Sequence, residues 1–146
     1  GTDLSFIQKI PHIHIMDTGG MKGRREELLR EEVHDILTHH FGVSKIHSEY
    51  GMTELLSQSY SQGDGLFFPK MTMQILLRDI NDPFQLYTYG ETAKTGGINV
   101  IDLANIDSCA FIETQDLGRF GTQDSSFYVM GRFDNSDIRG CSLMVI

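Results

Sequence analysis

The hydrophobic and polar positions of the first 60 residues follow two different periods. Residues 10–16 alternate, which is typical of a strand. From residue 24 onward, apolar residues recur at the three- and four-residue spacing of one helix face. A glycine-rich loop, "DTGGMKGR", joins the two, and Gly42 follows where a helix is expected to stop. The segment therefore predicts a strand, a loop and a helix with a buried stripe of Leu28, Leu29, Val33, Ile36, Leu37 and Phe41.

After residue 60 the pattern changes to short strand-like segments without helices between them. They span 72–79, 84–89, 97–103, 109–114, 126–133 and 142–146, and turn residues separate them. This spacing predicts an antiparallel sheet or a small barrel. The expected fold class is α+β, with a partial α/β strand–helix unit in residues 1–60 and an antiparallel, β-barrel-like subdomain in residues 61–146.

A lone strand–helix–strand unit cannot cover both faces of a parallel sheet. We therefore expect the chain to be part of a larger protein or to dock on another chain. Exposed apolar sheet surface would then favour self-association, for example as a dimer.

Composition narrows the classes of partner. The chain has 146 residues and a net charge of -8, which argues against nucleic acid as a partner. One nucleotide remains possible, because Mg²⁺ can bridge a carboxylate and a phosphate. Cys109 and Cys141 are far apart in the sequence, so we expect neither a zinc cluster nor a disulfide scaffold. Such sparse use of cysteine favours a cytoplasmic location. Cys109, in an apolar segment, is expected in the core. Neither a signal peptide nor a membrane span is expected.

The segment "HSEYGMTELLSQ" at 47–58 carries an unusual set of side chains. Tyr50 offers an aromatic face, Thr53 a hydroxyl and Glu54 a charge, and Gly51 frees the backbone. This set suits a ligand with a flat ring and an anion that carries a metal. The alternative is that Tyr50 is a core aromatic residue.

Two downstream segments add an acid and a cation. Asp116, in an expected tight turn, can accept hydrogen bonds from a ribose diol, although a turn aspartate more often caps its own backbone. Arg132 follows a strand, and its planar group suits hydroxyls or phosphate. Its alternative role is a surface ion pair with Asp134 or Asp137. The six histidines show no recognised metal-ligand spacing and are expected at the surface or in hydrogen bonds.

Taken in order, five segments resemble the adenylate-forming enzymes, the superfamily of the acyl-CoA synthetases. They are "GGM" at 19–21, "YGMTE" at 50–54, "GETAKTGGINV" at 90–100, "TQDLG" at 114–118 and "GRFDNSDIRG" at 131–140. Within that superfamily the chain is most similar to the luciferase-type acyl-protein synthetases, and only to their C-terminal portion. The resemblance implies the fold of the C-terminal half of the large domain of these enzymes.

The resemblance also implies roles for individual residues. Tyr50 would stack on adenine, Thr53 would touch the α-phosphate, and Glu54 would hold Mg²⁺. Thr53, Glu54 and the acyl-accepting Cys141 would form the catalytic set, and Asp134 would be the hinge residue. The implied nucleotide-binding residues are Gly19, Gly20, Met21, Glu49, Tyr50, Gly51, Met52, Thr53, Asp116 and Arg132.

The implied activity is ATP-dependent ligation of a long-chain fatty acid to protein. The carboxylic acid would become an acyl-adenylate, and the acyl group would pass to an enzyme cysteine and then to an acyl reductase or another acceptor. Two alternatives stay open: an acyl-CoA ligase-type enzyme, and a non-catalytic nucleotide-binding or interaction module. The upstream phosphate loop and most of the acyl pocket are not in this sequence. We therefore expect an N-terminal half of the same protein as a partner, and little turnover from this chain alone.

Overall fold

The computed structural model describes residues 4, 6–19, 30–91 and 94–133. These residues form an α+β fold dominated by one nine-stranded sheet. The strands are β1 (Met16–Asp17), β2 (His47–Tyr50), β3 (Ser59–Ser61), β4 (Leu66–Phe68), β5 (Met73–Arg78), β6 (Leu86–Tyr87), β7 (Gly96–Asp102), β8 (Phe111–Phe120) and β9 (Phe127–Arg132). The helix α1 spans Arg30–Phe41, and two 3-10 helices span Ile7–Lys9 and Leu103–Asn105.

The sheet has the strand order β1-β2-β3-β4-β9-β8-β7-β5-β6. β1 and β2 are parallel, with α1 between them in sequence, and every other neighbouring pair is antiparallel. The predicted α+β class is therefore confirmed. The sheet is continuous across residue 60, because β3 pairs with β2 on one side and β4 on the other. The division into 1–60 and 61–146 stays a prediction.

The hydrophobic core is formed by the apolar side chains that point inward at alternate positions of the central strands. Phe67, Leu77, Ile98 and Phe127 are fully buried there. Burying an apolar side chain of this size contributes about 1.5–3 kcal/mol. Tyr50 belongs to the same cluster, so the core reaches the end of β2.

The helix α1 is less buried than its pattern predicts. Gly42, with a φ of 62°, follows its last residue as expected. No residue of α1 is fully buried, however, and Ile36 is 52% exposed. The predicted buried stripe is therefore wrong at Ile36 and only partly buried at Val33, Leu37 and Phe41, because β1 is only two residues long and gives α1 little sheet to cover. Leu28 and Leu29 lie outside the described residues.

Several strand boundaries also differ from the prediction. Most of segment 10–16 is not a strand, and segment 84–89 reduces to the two residues of β6. Segment 109–114 continues as a strand to Phe120, through residues expected to form a turn. Cys109 is exposed rather than in the core, since it lies in the loop before β8. Segment 142–146 lies outside the described residues.

Three of the described histidines, His14, His34 and His47, take part in side-chain hydrogen bonds, which agrees with the expectation of surface or hydrogen-bonded histidines. His14 Nδ1 lies 3.1 Å from His47 Nε2, and His34 Nε2 lies 3.1 Å from the hydroxyl of Ser48. Burial lowers the pKa of His47, and His14 and Lys45 lower it further. In the part of the chain that the structure describes, no helix is long and apolar enough to cross a membrane.

Candidate functional site

A hydrogen bond joins two of the predicted site residues. The hydroxyl of Tyr50, the last residue of β2, donates to Asp116 Oδ2 at 2.9 Å, and 66 residues separate the two in sequence. Burial raises the pKa of Tyr50 far above its ordinary value, and the neighbouring carboxylate of Asp116 raises it further. The phenol therefore stays protonated and remains a donor throughout the physiological pH range.

The ring of Tyr50 is part of the core. Tyr50 is 8% exposed, and its ring meets Phe127 edge-on with centroids 5.4 Å apart. The ring of Phe67 is tilted against that of Tyr50, at a centroid distance of 6.0 Å. The alternative interpretation of Tyr50 as a core aromatic residue therefore holds for most of the ring, and stacking on adenine stays a prediction.

Asp116 lies in a strand with a bulge and not in the tight turn expected from the sequence. Between the ladder pairs Gly97–Leu117 and Asn99–Glu113, one residue of β7 faces three residues of β8. Within this bulge, the backbone N–H of Asp116 donates to the hydroxyl of Thr114 at 3.1 Å. A bulge re-aims side chains, and here it brings the carboxylate of Asp116 to the phenol of Tyr50.

Arg132 lies beside the same pair. It is the ladder partner of Asp116 on β9, and its side chain is exposed. Its positive charge acts on the phenol of Tyr50, where it partly offsets the rise in pKa. Gly131, immediately before it, has a φ of 138°, at a second irregularity between β8 and β9. Tyr50, Asp116 and Arg132 thus form one neighbourhood, which we call the 50–116–132 cluster.

The remaining motif residues lie in the turn after β2. Gly51, Thr53 and Glu54 are exposed, and Met52 is partly buried against the core. Glu49 is half-buried within β2. No hydrogen bond among the described residues joins the carboxylate of Glu54 to Tyr50 or Asp116. The structure therefore brings Tyr50, Asp116 and Arg132 together and leaves Glu54 in the exposed turn that follows β2.

Two residues that the sequence analysis missed hold this turn. Asp102 is fully buried, and its carboxylate accepts hydrogen bonds from the N–H groups of Leu56 and Ser57, both at 2.9 Å, and from the hydroxyl of Ser57 at 2.6 Å. Asn105 Nδ2 donates to the backbone carbonyl of Glu54 at 2.6 Å.

The pKa of Asp102 follows from this environment. Burial alone would raise it, but the hydrogen bonds, which include the N–H of Ala104 at 3.1 Å, outweigh burial and lower the pKa below its ordinary value. The signal in the sequence was "DLAN", in which an aspartate precedes a short helix that it caps.

The described residues fit Mg²⁺ only in combination with phosphate. Among them, no group of three or more His, Cys, Asp or Glu side chains could hold a metal ion. Mg²⁺ is commonly bound by one or two carboxylates together with phosphates of the substrate and waters. The exposed carboxylate of Glu54 fits that role.

Four predicted site residues lie outside the described residues: Gly20, Met21, Asp134 and Cys141. Gly19, the last described residue before that gap, has a φ of 73°. Its N–H donates to Asp17 Oδ1 at 2.9 Å. Its placement near adenine stays a prediction.

A separate hollow lies at the turn end of the β8–β9 hairpin. Its volume is about 320 Å³, and Tyr89, Arg119, Phe120 and Tyr128 contribute to its lining. No predicted site residue lines it. This hollow therefore offers a competing location for a ligand, which an experiment must distinguish from the 50–116–132 cluster.

Comparisons with known proteins find similarity among solved structures. No protein-family model matches the chain. No curated protein matches it either. Among solved structures, the chain is similar to a benzoate CoA ligase from Burkholderia xenovorans LB400, with 20% sequence identity and a TM-score of 0.47. The match covers 74% of this chain and 24% of the ligase chain. At this identity and TM-score, the similarity establishes no shared function.

Proposed function

We propose that this chain is the nucleotide-binding part of an adenylate-forming ligase, which activates a carboxylic acid with ATP. The observation that supports it most is the hydrogen bond from Tyr50 to Asp116, with Arg132 opposite Asp116 in the ladder. These three residues come from motifs that, by the resemblance to adenylate-forming enzymes, would serve one nucleotide.

In this proposal the 50–116–132 cluster binds the adenosine. A carboxylate offers about four lone-pair sites, so Asp116 keeps acceptor capacity for the ribose hydroxyls after it accepts the hydrogen bond from Tyr50. The hydroxyl of Tyr50 holds that carboxylate in place. Arg132 offers a fork of donors to hydroxyl or phosphate oxygens.

The turn after β2 would bind the phosphates. Thr53 donates its hydroxyl to the α-phosphate, and Glu54 supplies the protein carboxylate for Mg²⁺, which neutralises phosphate charge when bound. The substrate carboxylate oxygen attacks the α-phosphorus, the bond to the bridging oxygen breaks, and pyrophosphate leaves. The chain's own contribution is to hold the two anions in line.

The finer proposal is an acyl-protein synthetase that acts on a long-chain fatty acid in the cytoplasm. The thiolate of Cys141 would attack the acyl carbonyl, forming a thioester and releasing AMP. The partners are an N-terminal half of the same protein, an acyl reductase or another acceptor, and a second copy of the chain.

In the full-length protein, a Cys141→Ser variant should lose labelled acyl-enzyme and still form adenylate. Persistent labelling would contradict this route.

The test of the proposed function is calorimetric titration of the chain with AMP. Asp116→Ala is expected to weaken AMP binding at least tenfold, because a hydrogen bond to a charged group contributes about 1.5–3 kcal/mol and 1.4 kcal/mol is a factor of ten. Arg119→Met is the control, since it removes an exposed cation from the same strand, β8. Equal affinity in the wild-type protein and Asp116→Ala would contradict the proposal.

A further inference from the structure

The bulge that carries Asp116 interrupts the β7–β8 ladder, and a buried cation takes the place of the missing hydrogen bonds. Ile98 is the single residue of β7 that faces Thr114, Gln115 and Asp116. The guanidinium of Arg78 donates to the carbonyl of Thr114 at 2.8 Å and to that of Ile98 at 3.3 Å. Buried carbonyls need such partners, since leaving them unpaired is costly.

Arg78 is fixed on every side. It is 6% exposed, and it donates to the side-chain oxygen of Asn99 at 2.7 Å. Its Nε lies 3.4 Å from the carboxylate of Glu113, and the ring of Phe133 lies 5.0 Å from the guanidinium carbon. Gly97 leaves the necessary space, because a Cβ there would lie 2.4 Å from that carbon.

These contacts connect Arg78 with both residues proposed to grip the ribose. On one side, Arg78 donates a hydrogen bond to the backbone carbonyl of Thr114. The side-chain hydroxyl of Thr114 in turn donates to the carbonyl of Ile98 at 2.8 Å and accepts a hydrogen bond from the N–H of Asp116. On the other side, Arg78 packs against Phe133, which directly follows Arg132. Arg78 touches neither the carboxylate of Asp116 nor any proposed ligand atom, so its action would be indirect.

We propose that Arg78 is a positioning residue, which holds the β8 bulge in the shape that directs Asp116 at the ribose diol of a nucleotide. This inference rests on the proposed function. Without the guanidinium, the bulge would relax to satisfy its own carbonyls, and the carboxylate of Asp116 would turn away from the diol. The loss would fall on recognition of the ribose hydroxyls and not on nucleotide binding in general.

The experiment compares the affinities for AMP and for 2′,3′-dideoxy-AMP, which lacks the diol. We expect the wild-type protein to prefer AMP about tenfold or more, since one hydrogen bond to a charged group accounts for such a factor. Arg78→Met and Gly97→Ala should reduce that preference to about threefold or less; Gly97→Ala displaces the guanidinium and keeps its charge. Arg119→Met, the control, should keep the full preference.

Thermal melts identify the temperatures at which each variant is folded, and the titrations are done there. A merely structural role would change both affinities by the same factor and leave their ratio intact, which would overturn the inference. If Arg78→Met does not fold, Arg78→Lys gives the same comparison, because a lysine keeps the charge but cannot bridge two carbonyls with a planar fork. A wild-type protein that binds neither nucleotide would contradict the proposed function, whereas one that binds AMP with an Arg78-independent preference would contradict this inference alone.

Discussion

Replacing Asp102 with asparagine is expected to lower the free energy of unfolding by about 3–5 kcal/mol. The carboxylate is fully buried and accepts hydrogen bonds from Leu56, Ser57 and Ala104. An amide would aim its NH₂ group at some of these donors, and each lost hydrogen bond to a charged group costs about 1.5–3 kcal/mol. Urea unfolding followed by circular dichroism measures the difference.

The matched control is Asp107→Asn, which makes the same chemical change at an exposed position in the following loop and should stay within about 0.5 kcal/mol of the wild type. The effect also has a pH signature. Because the pKa of Asp102 is lowered in the fold, its stabilisation is present above the unfolded-state pKa of about 3.9 and is lost as the pH falls through the lower folded-state value. Asp102→Asn should lack that acid-dependent loss. Equal stabilities of Asp102→Asn and Asp107→Asn would show that Asp102 does not hold the turn.

Phe127→Ala is expected to destabilise the fold by a similar amount, about 3–5 kcal/mol. Phe127 is fully buried, and its ring lies 5.4 Å from that of Tyr50 and 5.6 Å from that of Phe67. The substitution would leave a cavity directly beside Tyr50. The same urea measurement gives the cost.

Phe84→Ala is the control for this prediction, because Phe84 is 94% exposed and its loss should change the stability by less than about 0.5 kcal/mol. Phe127→Leu should cost less than Phe127→Ala, since it fills part of the cavity. A cost below about 1 kcal/mol for Phe127→Ala would mean that the aromatic cluster does not support Tyr50.

Some of the elements with a strong local pattern could be predicted from the sequence. β5, β7 and β9 lie within one or two residues of their expected bounds, and Gly42 marks the end of α1. β8 could not be predicted fully, because Asp116-Leu117-Gly118 has the composition of a turn and also of a bulge. Pairing with the neighbouring strands decides between a turn and a bulge, and those strands include residues that are distant in sequence.

The same limit applies to the candidate site. The resemblance implied that Tyr50 and Asp116 serve one nucleotide; a hydrogen bond joins the two side chains, and their role in nucleotide binding stays a prediction. Asp102, Asn105 and Arg78 were missed because their partners are far away in sequence: Arg78 and Thr114 are 36 residues apart, and Asn105 and Glu54 are 51 residues apart. The "DLAN" pattern indicates only that Asp102 caps a short helix, and no local pattern reports these distant contacts.

The proposed function requires the 50–116–132 cluster to bind a nucleotide. The most direct test is a titration of the ¹⁵N-labelled chain with AMP, followed by nuclear magnetic resonance. On this proposal, the largest chemical-shift changes occur at the amides of Tyr50, Asp116 and Arg132. Saturable changes centred on Tyr89 and Arg119, at the separate hollow, or no saturable change at all, would contradict it.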